Sequence, residues 1–267
     1  MKKILTIFVL ICLLNFFSFA GVEWTSKVTT EGKKKDDGGR IIAQVYAQAG
    51  DLKQVFTEVS KENNLFMRNG YWLFKSADEN IYIVNEEKKS YMILSLDSLL
   101  QLTGMIGQLV KIEILDSTID SQTMAKETVS GYSCNHVRIT SDYTMKMKIV
   151  FIKKTIKVHE VKDIWAAPNI KFFNELNKSF LKKDFKTGFS DLDDLIKQQM
   201  EKQGEIGFPL KIITYTMQSS TKGKVMSETT STMEVTDIQA KNFPKSFFEV
   251  PAGYQEVKPE EQKKGIF

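Results

Sequence analysis

Short apolar runs alternate with polar, often glycine-containing breaks through the first half of the chain. The runs are rich in β-branched and aromatic residues, which favour strands over helices. Strands are predicted over 22–30, 40–49, 52–59, 71–74, 81–84 and 90–94. Because strands of this length that are separated by turns about every ten residues form hairpins, the pattern predicts an antiparallel meander.

Helical spacing of apolar residues appears in three later segments. The predicted helices cover 96–110, 170–181 and 192–200. Two glycines, Gly104 and Gly107, weaken the first helix. The third begins at a sequence typical of a capping box, Ser190-Asp-Leu-Asp193, and we expect it to end at Gly204.

Strand patterns return between and after these helices. Strands are predicted over 111–115, 128–140, 145–149, 156–165, 211–219 and 225–237. Lys153 to Thr155 is expected to be a turn before the strand that starts at Ile156, and Thr221 to Lys224 a hairpin turn. The order of elements predicts an α+β fold, in which helices pack on the concave face of a curved antiparallel half-barrel. We expect one domain over 21–254, followed by a polar tail over 255–267.

The first twenty residues predict a secretory signal peptide. Lys2 and Lys3 precede the apolar run 4–14, and Ser18-Phe19-Ala20 fits a cleavage site before Gly21. An uncleaved anchor is one alternative. Acylation at Cys12 is another, although Ile11 stands where lipidation needs a small residue. The leader predicts a periplasmic or secreted protein with no stable membrane span after cleavage, since the run is short for a bilayer.

Charge bears on the class of partner, and cysteine content bears on the state of Cys134. The chain has 37 basic and 33 acidic residues, and loss of Lys2 and Lys3 with the leader would lower its net charge from +4 to +2. This near balance predicts no nucleic-acid partner. Cys134 would then be the sole cysteine of the mature chain, so burial, an intermolecular bridge and a reactive thiol are its three interpretations. We favour burial, because Cys134 lies in a predicted strand.

The sequence contains no recognisable catalytic motif, and we predict neither an enzyme nor a cofactor. Cys134 and His136 would share one face of a strand, as a Cys–His dyad requires, but no third group that would orient the histidine is evident. His159 lies near Glu160 and Asp163. A zinc site would need three or four converging ligands, so no metal is predicted.

Four local patterns, in a fixed order, resemble a known family. They are Ser130-Gly-Tyr-Ser-Cys134, Asp163-Ile-Trp-Ala-Ala-Pro168, Gly207-Phe-Pro-Leu-Lys211 and Ser246-Phe-Phe-Glu-Val-Pro-Ala-Gly-Tyr254. The family is an uncharacterised bacterial envelope family, known as a domain of unknown function, and its architecture is similar to lipoprotein carriers of the LolA and LolB type. The resemblance implies a half-barrel sheet covered by helices, with an apolar cavity between them that holds acyl chains in the carriers.

Apolar side chains of the two later helices are the candidate lining of such a pocket. They are Phe172, Phe173, Leu176, Phe180, Leu195 and Met200. Ligand cavities are lined chiefly by apolar groups, and Met adapts to irregular acyl chains. We therefore predict an exported, non-enzymatic protein that binds a lipid, a lipoprotein or another acyl-type ligand. The alternative is an envelope structural or interaction protein whose own helices fill the concave face.

Overall fold

We describe the fold from a computed structural model of the chain. The structure describes residues 21–33, 38–60, 70–77, 80–95, 110–149, 152–170 and 189–257. This part of the chain is mostly β-strand and contains one α-helix. Its strands form a single large, curved sheet that is open and does not close into a barrel. The predicted curved antiparallel sheet is thus confirmed.

Among the described residues, twelve strands form the sheet. They are β1 Val22–Gly32, β2 Gly39–Gln48, β3 Asp51–Val59, β4 Gly70–Lys75, β5 Asn80–Asn85, β6 Ser90–Ser95, β7 Val110–Val129, β8 Tyr132–Ile149, β9 Ile152–Ala167, β10 Phe208–Ser220, β11 Val225–Ala240 and β12 Gln255–Glu256. The helix α1 covers Ser190–Gln203, and a short 3-10 helix covers Lys245–Phe248.

The strand order shows two meanders that meet in the middle of the sheet. The order is β12-β6-β5-β4-β3-β2-β1-β11-β10-β9-β8-β7. The first meander, β1 to β6, runs outward to one side. The second, β7 to β11, starts at the opposite edge and returns until β11 pairs with β1. All neighbours are antiparallel except β12 and β6, which are parallel.

The first meander confirms the strands predicted from the apolar runs. Its outer strands β4, β5 and β6 have six residues each. Directly opposite partners bring Tyr71, Val84 and Tyr91 into one row across them. The predicted helices over 96–110 and 170–181 lie outside the described residues, apart from Ile170 and Val110, the first residue of β7.

The second meander has longer strands than predicted, since β7 and β8 also include 116–127 and 141–144, and its turns differ from the prediction in two places. The run 128–140 is interrupted, because Ser130 and Gly131 form the turn between β7 and β8 with φ angles of 49° and 81°. Gly131 supplies the positive φ that this tight turn needs. The expected turn at Lys153 to Thr155 is wrong, since these residues already belong to β9 and pair with β8. Lysine side chains that point to solvent do not end a strand.

The helix α1 confirms the predicted third helix, with a different start. Phe189 is the N-cap, and its apolar side chain forms no capping hydrogen bond, while the Ser190 hydroxyl donates to Oδ1 of Asp191 at 3.2 Å. Gly204 ends the helix with φ 64°, and its N–H donates to the Met200 carbonyl at 3.1 Å. The helix packs on β7 and β8.

The two faces of the β8–β9 pair differ in the side chains that they present and in their contact with α1. Val137 and Ile139 alternate with His136 and Arg138 along β8, and they belong to a small apolar cluster with Ile164 of β9. The helix lies on the side of this cluster. Its Gln199 amide donates to the Ser141 hydroxyl at 3.0 Å, and Ser141 shares the parity of Val137 and Ile139. The side that carries His136 is the opposite one.

The largest apolar cluster lies at the middle of the sheet and joins the two meanders. Its buried members come from both, namely Val22, Trp24, Ala43, Val45, Ala47, Cys134, Trp165, Ala167, Ile170, Phe208, Leu210 and Val235. The rings of Trp24 and Phe208 meet edge to face with centroids 5.6 Å apart. Burial of such side chains is the main source of stability in a fold of this size.

The C-terminal segment after β11 fastens the first meander. Gln48 of β2 exchanges two hydrogen bonds with the backbone of Phe243, at 2.8 and 3.1 Å. Phe243 and Phe247 stack with centroids 4.9 Å apart, and both contact Tyr46 edge to face. Val250 and Tyr254 pack beside Tyr71, Leu73 and Val84. The Phe-Glu-Val-Pro-Ala-Gly-Tyr pattern is therefore a packing element of the sheet.

Candidate functional site

A polar network lies on one face of β8 and β9, near the central apolar cluster. In the antiparallel register His136 stands opposite Trp165, and Arg138 stands opposite Asp163. Directly opposite residues project from the same face of a sheet. Glu127 of β7 adds a second carboxylate. We call these five side chains the His136 network.

His136 is the centre of the network. Its Nδ1 lies 3.1 Å from Oε1 of Glu127, and its Nε2 lies 2.9 Å from Oδ1 of Asp163. The ring is buried and stacks on Trp165 with centroids 4.2 Å apart and planes 22° apart. Both nitrogens therefore face carboxylate oxygens, and both can donate only when the ring carries two protons.

The Asp163 carboxylate contacts both Arg138 and His136. Arg138 donates from Nε to Oδ1 at 2.9 Å and from Nη2 to Oδ2 at 3.0 Å. Such a two-point contact is stronger and more directional than a single hydrogen bond. Burial alone would raise the pKa of Asp163, but the hydrogen bonds and positive charge of Arg138, together with His136, hold that pKa below its ordinary value.

Trp165 carries a buried hydrogen-bond donor. Its indole Nε1 is buried and has no hydrogen-bond acceptor in the described part of the chain. The Lys211 ammonium lies 5.3 Å from the ring centroid, within cation–π range. A buried N–H without an acceptor costs about 1–3 kcal/mol, so its place beside the network must be stabilised by packing on both ring faces.

The network is better suited to fixing strands than to nucleophilic chemistry. Cys134 is buried and free, as we predicted for this residue, and its Sγ donates to the Tyr132 carbonyl at 3.5 Å. Burial raises the pKa of the Cys134 thiol in spite of a backbone hydrogen bond from Val129. A protonated thiol is a weak nucleophile. His136 shares its face but directs both ring nitrogens to carboxylates.

Metal binding finds no support in the described residues. No group of three His, Cys, Asp or Glu side chains there could hold a metal ion. In the His136 network the reason is visible, since both ring nitrogens and both oxygens of Asp163 already have partners. His159 forms a separate surface pair with Asp142 at 2.8 Å.

The predicted pocket-lining residues are only partly described. Leu195 is the buried residue of α1, whereas Met200, on the same helix, is 43% exposed. Phe172, Phe173, Leu176 and Phe180 lie outside the described residues. Convergence of the six side chains on one pocket therefore stays a prediction.

Comparison with known families gives a clear result at the level of the domain. A model described as "Domain of unknown function (DUF4412)" matches residues 53–254. The chain belongs to this family. The match confirms the resemblance to an uncharacterised family that the four sequence patterns indicated. No curated protein matches this DUF4412 chain. In its described part, no helix combines the length and apolarity needed to cross a lipid bilayer.

Three solved structures resemble this DUF4412 protein at low TM-scores. PNGF-II is 10% identical with a TM-score of 0.31, and the alignment covers 90% of this chain but only 32% of PNGF-II. A domain named for outer membrane lipoprotein sorting, from Vibrio parahaemolyticus, is 7% identical with a TM-score of 0.23, covering 86% and 89%. A DUF1329 family protein from Desulfovibrio piger is 9% identical with a TM-score of 0.18, covering 90% and 93%.

The His136 network was missed from the sequence because its members lie far apart along the chain. Asp163 and Trp165 belong to one of the family-like patterns, but nothing local connects them to Arg138. A register in which residue 149 pairs with residue 152 places 136 opposite 165 and 138 opposite 163. That signal was hidden when Lys153 to Thr155 was interpreted as the turn.

Proposed function

We propose that this protein is an exported, non-enzymatic binding protein for an apolar ligand of the lipid or acyl-chain type, working in the periplasm or outside the cell. One observation carries the proposal. The central apolar cluster has a rim of half-buried hydrophobic side chains that pack against it and keep part of their surface exposed. The rim consists of Leu52, Phe56, Val129, Tyr132, Ile213, Met233 and Ile238.

A rim of this kind supplies what an acyl chain needs. The open sheet offers a broad surface, and the one described helix covers β7 and β8 rather than the middle strands. Apolar surface beside a buried core gains about 25 cal/mol for each Å² that a ligand removes from water. The apolar segment that contains Phe172 and Phe180 is proposed to complete the lining, as the sequence predicts.

Native mass spectrometry of the mature protein, exported by a bacterial host, tests the proposal. We expect a reproducible added mass that an organic solvent removes. A bare mass equal to residues 21–267, together with no displacement of a fluorescent fatty-acid probe, would refute it. Met233→Gln at the rim should weaken binding of the probe. Met226→Gln, on the same strand β11 but outside the cluster, is the matched control and should leave it unchanged.

An envelope structural or interaction protein is the second candidate. Complete burial at the centre of the sheet favours it, since Cys134 and Leu210 have 0% exposure within the chain itself. The concave face would then be filled by the chain's own helices. The double substitution of Phe172 and Phe173 by Ala separates the two candidates. Loss of stability without any change in probe binding favours the structural role, and loss of probe binding in a folded variant favours carriage.

A further inference from the structure

A groove of about 460 Å³ lies where β7, β8 and β9 approach the β8–β9 hairpin end. Its lining includes Lys111, Lys146, Lys148, Lys153 and Lys154, with Glu113 as the one carboxylate. All five lysines are exposed. The net charge of this lining is strongly positive, although the whole chain is close to neutral.

The register of the strands makes this concentration of charge unusual. Lys111 stands directly opposite Lys148, and Lys148 stands directly opposite Lys153. Opposite residues in antiparallel strands have Cβ atoms about 4.5–5.5 Å apart, and like charges at that separation destabilise the pairing. Three ammonium groups therefore form one row across three adjacent strands. We call these three residues the lysine row.

Other lysines of the same sheet are placed beside carboxylates. Lys27 pairs with Glu234 across β1 and β11 at 3.7 Å, and Lys33 reaches Glu228 at 2.8 Å. Within the described ranges, no such ion pair involves Lys111, Lys148 or Lys153. The sheet thus balances its positive charges in the middle but concentrates them at this end.

We infer that the lysine row binds a phosphate-bearing ligand. A phosphate carries one to two negative charges and several acceptor oxygens, so one group can accept from ammonium groups on three strands at once. The strands hold the lysine stems in a fixed register, and the groove is large enough for a small anionic group. Free phosphate compounds and phospholipid head groups share this chemistry. The inference does not depend on an apolar ligand at the central cluster.

Thermal unfolding in low-salt buffer tests the row with inorganic phosphate as the probe. The variant is K148Q/K153Q, and the matched control is K222Q/K224Q in the exposed β10–β11 turn. Without phosphate, the row variant should have a higher Tm than the wild type, because a like-charge contact is relieved. Phosphate should raise the Tm of the wild type and the control, and should leave that of the row variant nearly unchanged. Equal phosphate shifts in all three proteins would overturn the inference.

Vesicle sedimentation distinguishes the two sources of phosphate. Vesicles of phosphatidylglycerol mixed with phosphatidylcholine are compared with phosphatidylcholine alone, at low and high salt. If a head group is the source, the wild type and control should bind the anionic vesicles, and K148Q/K153Q should bind at least about tenfold more weakly. If a free phosphate compound is the source, none should sediment while the Tm shift persists. Binding that is identical in the row variant and the wild type would contradict a role for these lysines.

Discussion

The two meanders of the sheet are stabilised in different ways. The first has short outer strands, and aromatic side chains of the C-terminal segment pack on it. The Lys53 ammonium lies 3.9 Å from the centroid of the Tyr71 ring and 4.5 Å from that of the Phe247 ring. The second has long strands, including the 20-residue β7, and carries the His136 network and the lysine row. Apolar packing dominates one half, while charge placement distinguishes the other.

This difference indicates where binding chemistry can reside. Side chains of the outer strands of the first meander pack against one another, since Tyr71, Leu73 and Val84 form a cluster with Val250 and Tyr254. The longer strands of the second meander extend beyond the region that the core covers, so their ends can carry charges that folding does not require. Binding of an anion is expected at the second meander, and loss of stability from truncated side chains at the first.

The largest effect should come from Leu73→Ala in the first meander. Leu73 has 0% exposure, and removal of its side chain leaves a cavity among Tyr71, Val84 and their neighbours. We expect a loss of about 2–5 kcal/mol in the free energy of unfolding, measured by urea denaturation. Val225→Ala, at an exposed position of β11, should change it by less than about 0.5 kcal/mol. Equal effects of the two substitutions would contradict the packing described here.

A smaller loss is expected from Gly207→Ala just before β10. Gly207 has φ +109°, and a Cβ there would lie 2.4 Å from the Ala167 carbonyl oxygen. Gly223→Ala is the matched control, because its φ is +81° and no atom lies within 4 Å of the added Cβ. Both should lose about 1 kcal/mol from backbone strain, and Gly207→Ala more, because of the contact with Ala167. Chemical denaturation of both variants would show whether the contact adds to the strain.

Asp163→Asn should remove an acid-dependent part of the stability in the second meander. The pKa of Asp163 is lowered in the fold, so its contribution is present above the unfolded value of about 3.9 and is lost as the pH falls through the lower folded value. The wild type should therefore lose stability below about pH 4 more steeply than the variant. The Tm values at pH 6 and pH 3 measure this difference. Parallel pH profiles would show that Asp163 does not titrate within the His136 network.

The smallest change at neutral pH is expected from Tyr71→Phe, which probes the opposite end of the pH scale. Burial raises the pKa of Tyr71 to about 12, with further contributions from Glu86 and Tyr254. A raised folded pKa gives stability that is present below the unfolded value of about 10 and is lost as the pH rises toward 12. The variant should resist alkaline unfolding between these values better than the wild type. Circular dichroism from pH 8 to 12 would detect it, and identical curves would show that Tyr71 makes no contribution.

The sequence predicted the first meander well because its strands are short, apolar and separated by polar turns. The run at Tyr71-Trp-Leu-Phe74 and the one at Ile81-Tyr-Ile-Val84 are examples, since each lies in a strand that extends one residue further at both ends. The C-terminal pattern around Phe247 was recognised as a family feature. Its role in fastening β2 and β4 was not, because that role depends on contacts between distant residues.

The second meander was harder to predict, since its strands are long and their ends are polar. Lys153 and Lys154 were assigned to a turn, although a strand beyond the core tolerates charges on either face. The predicted strand over 128–140 contains the two-residue turn at Ser130 and Gly131, and Gly131 was its only local signal in the sequence. The His136 network and the lysine row both depend on register, which local periodicity does not define.

The contact between α1 and β7 bears on how separate copies of the protein behave together. β7 is an edge of the sheet, and a free edge can pair with the edge of another molecule. The Ile114 N–H, which would be offered to such a strand, instead donates to Oδ2 of Asp191 at 3.1 Å. Two irregularities in the β7 register, one of them at Asp116 with φ 51°, bend the same edge. The helix therefore occupies a backbone donor that a strand from a second copy would need, and the bends make this edge less suited to regular pairing.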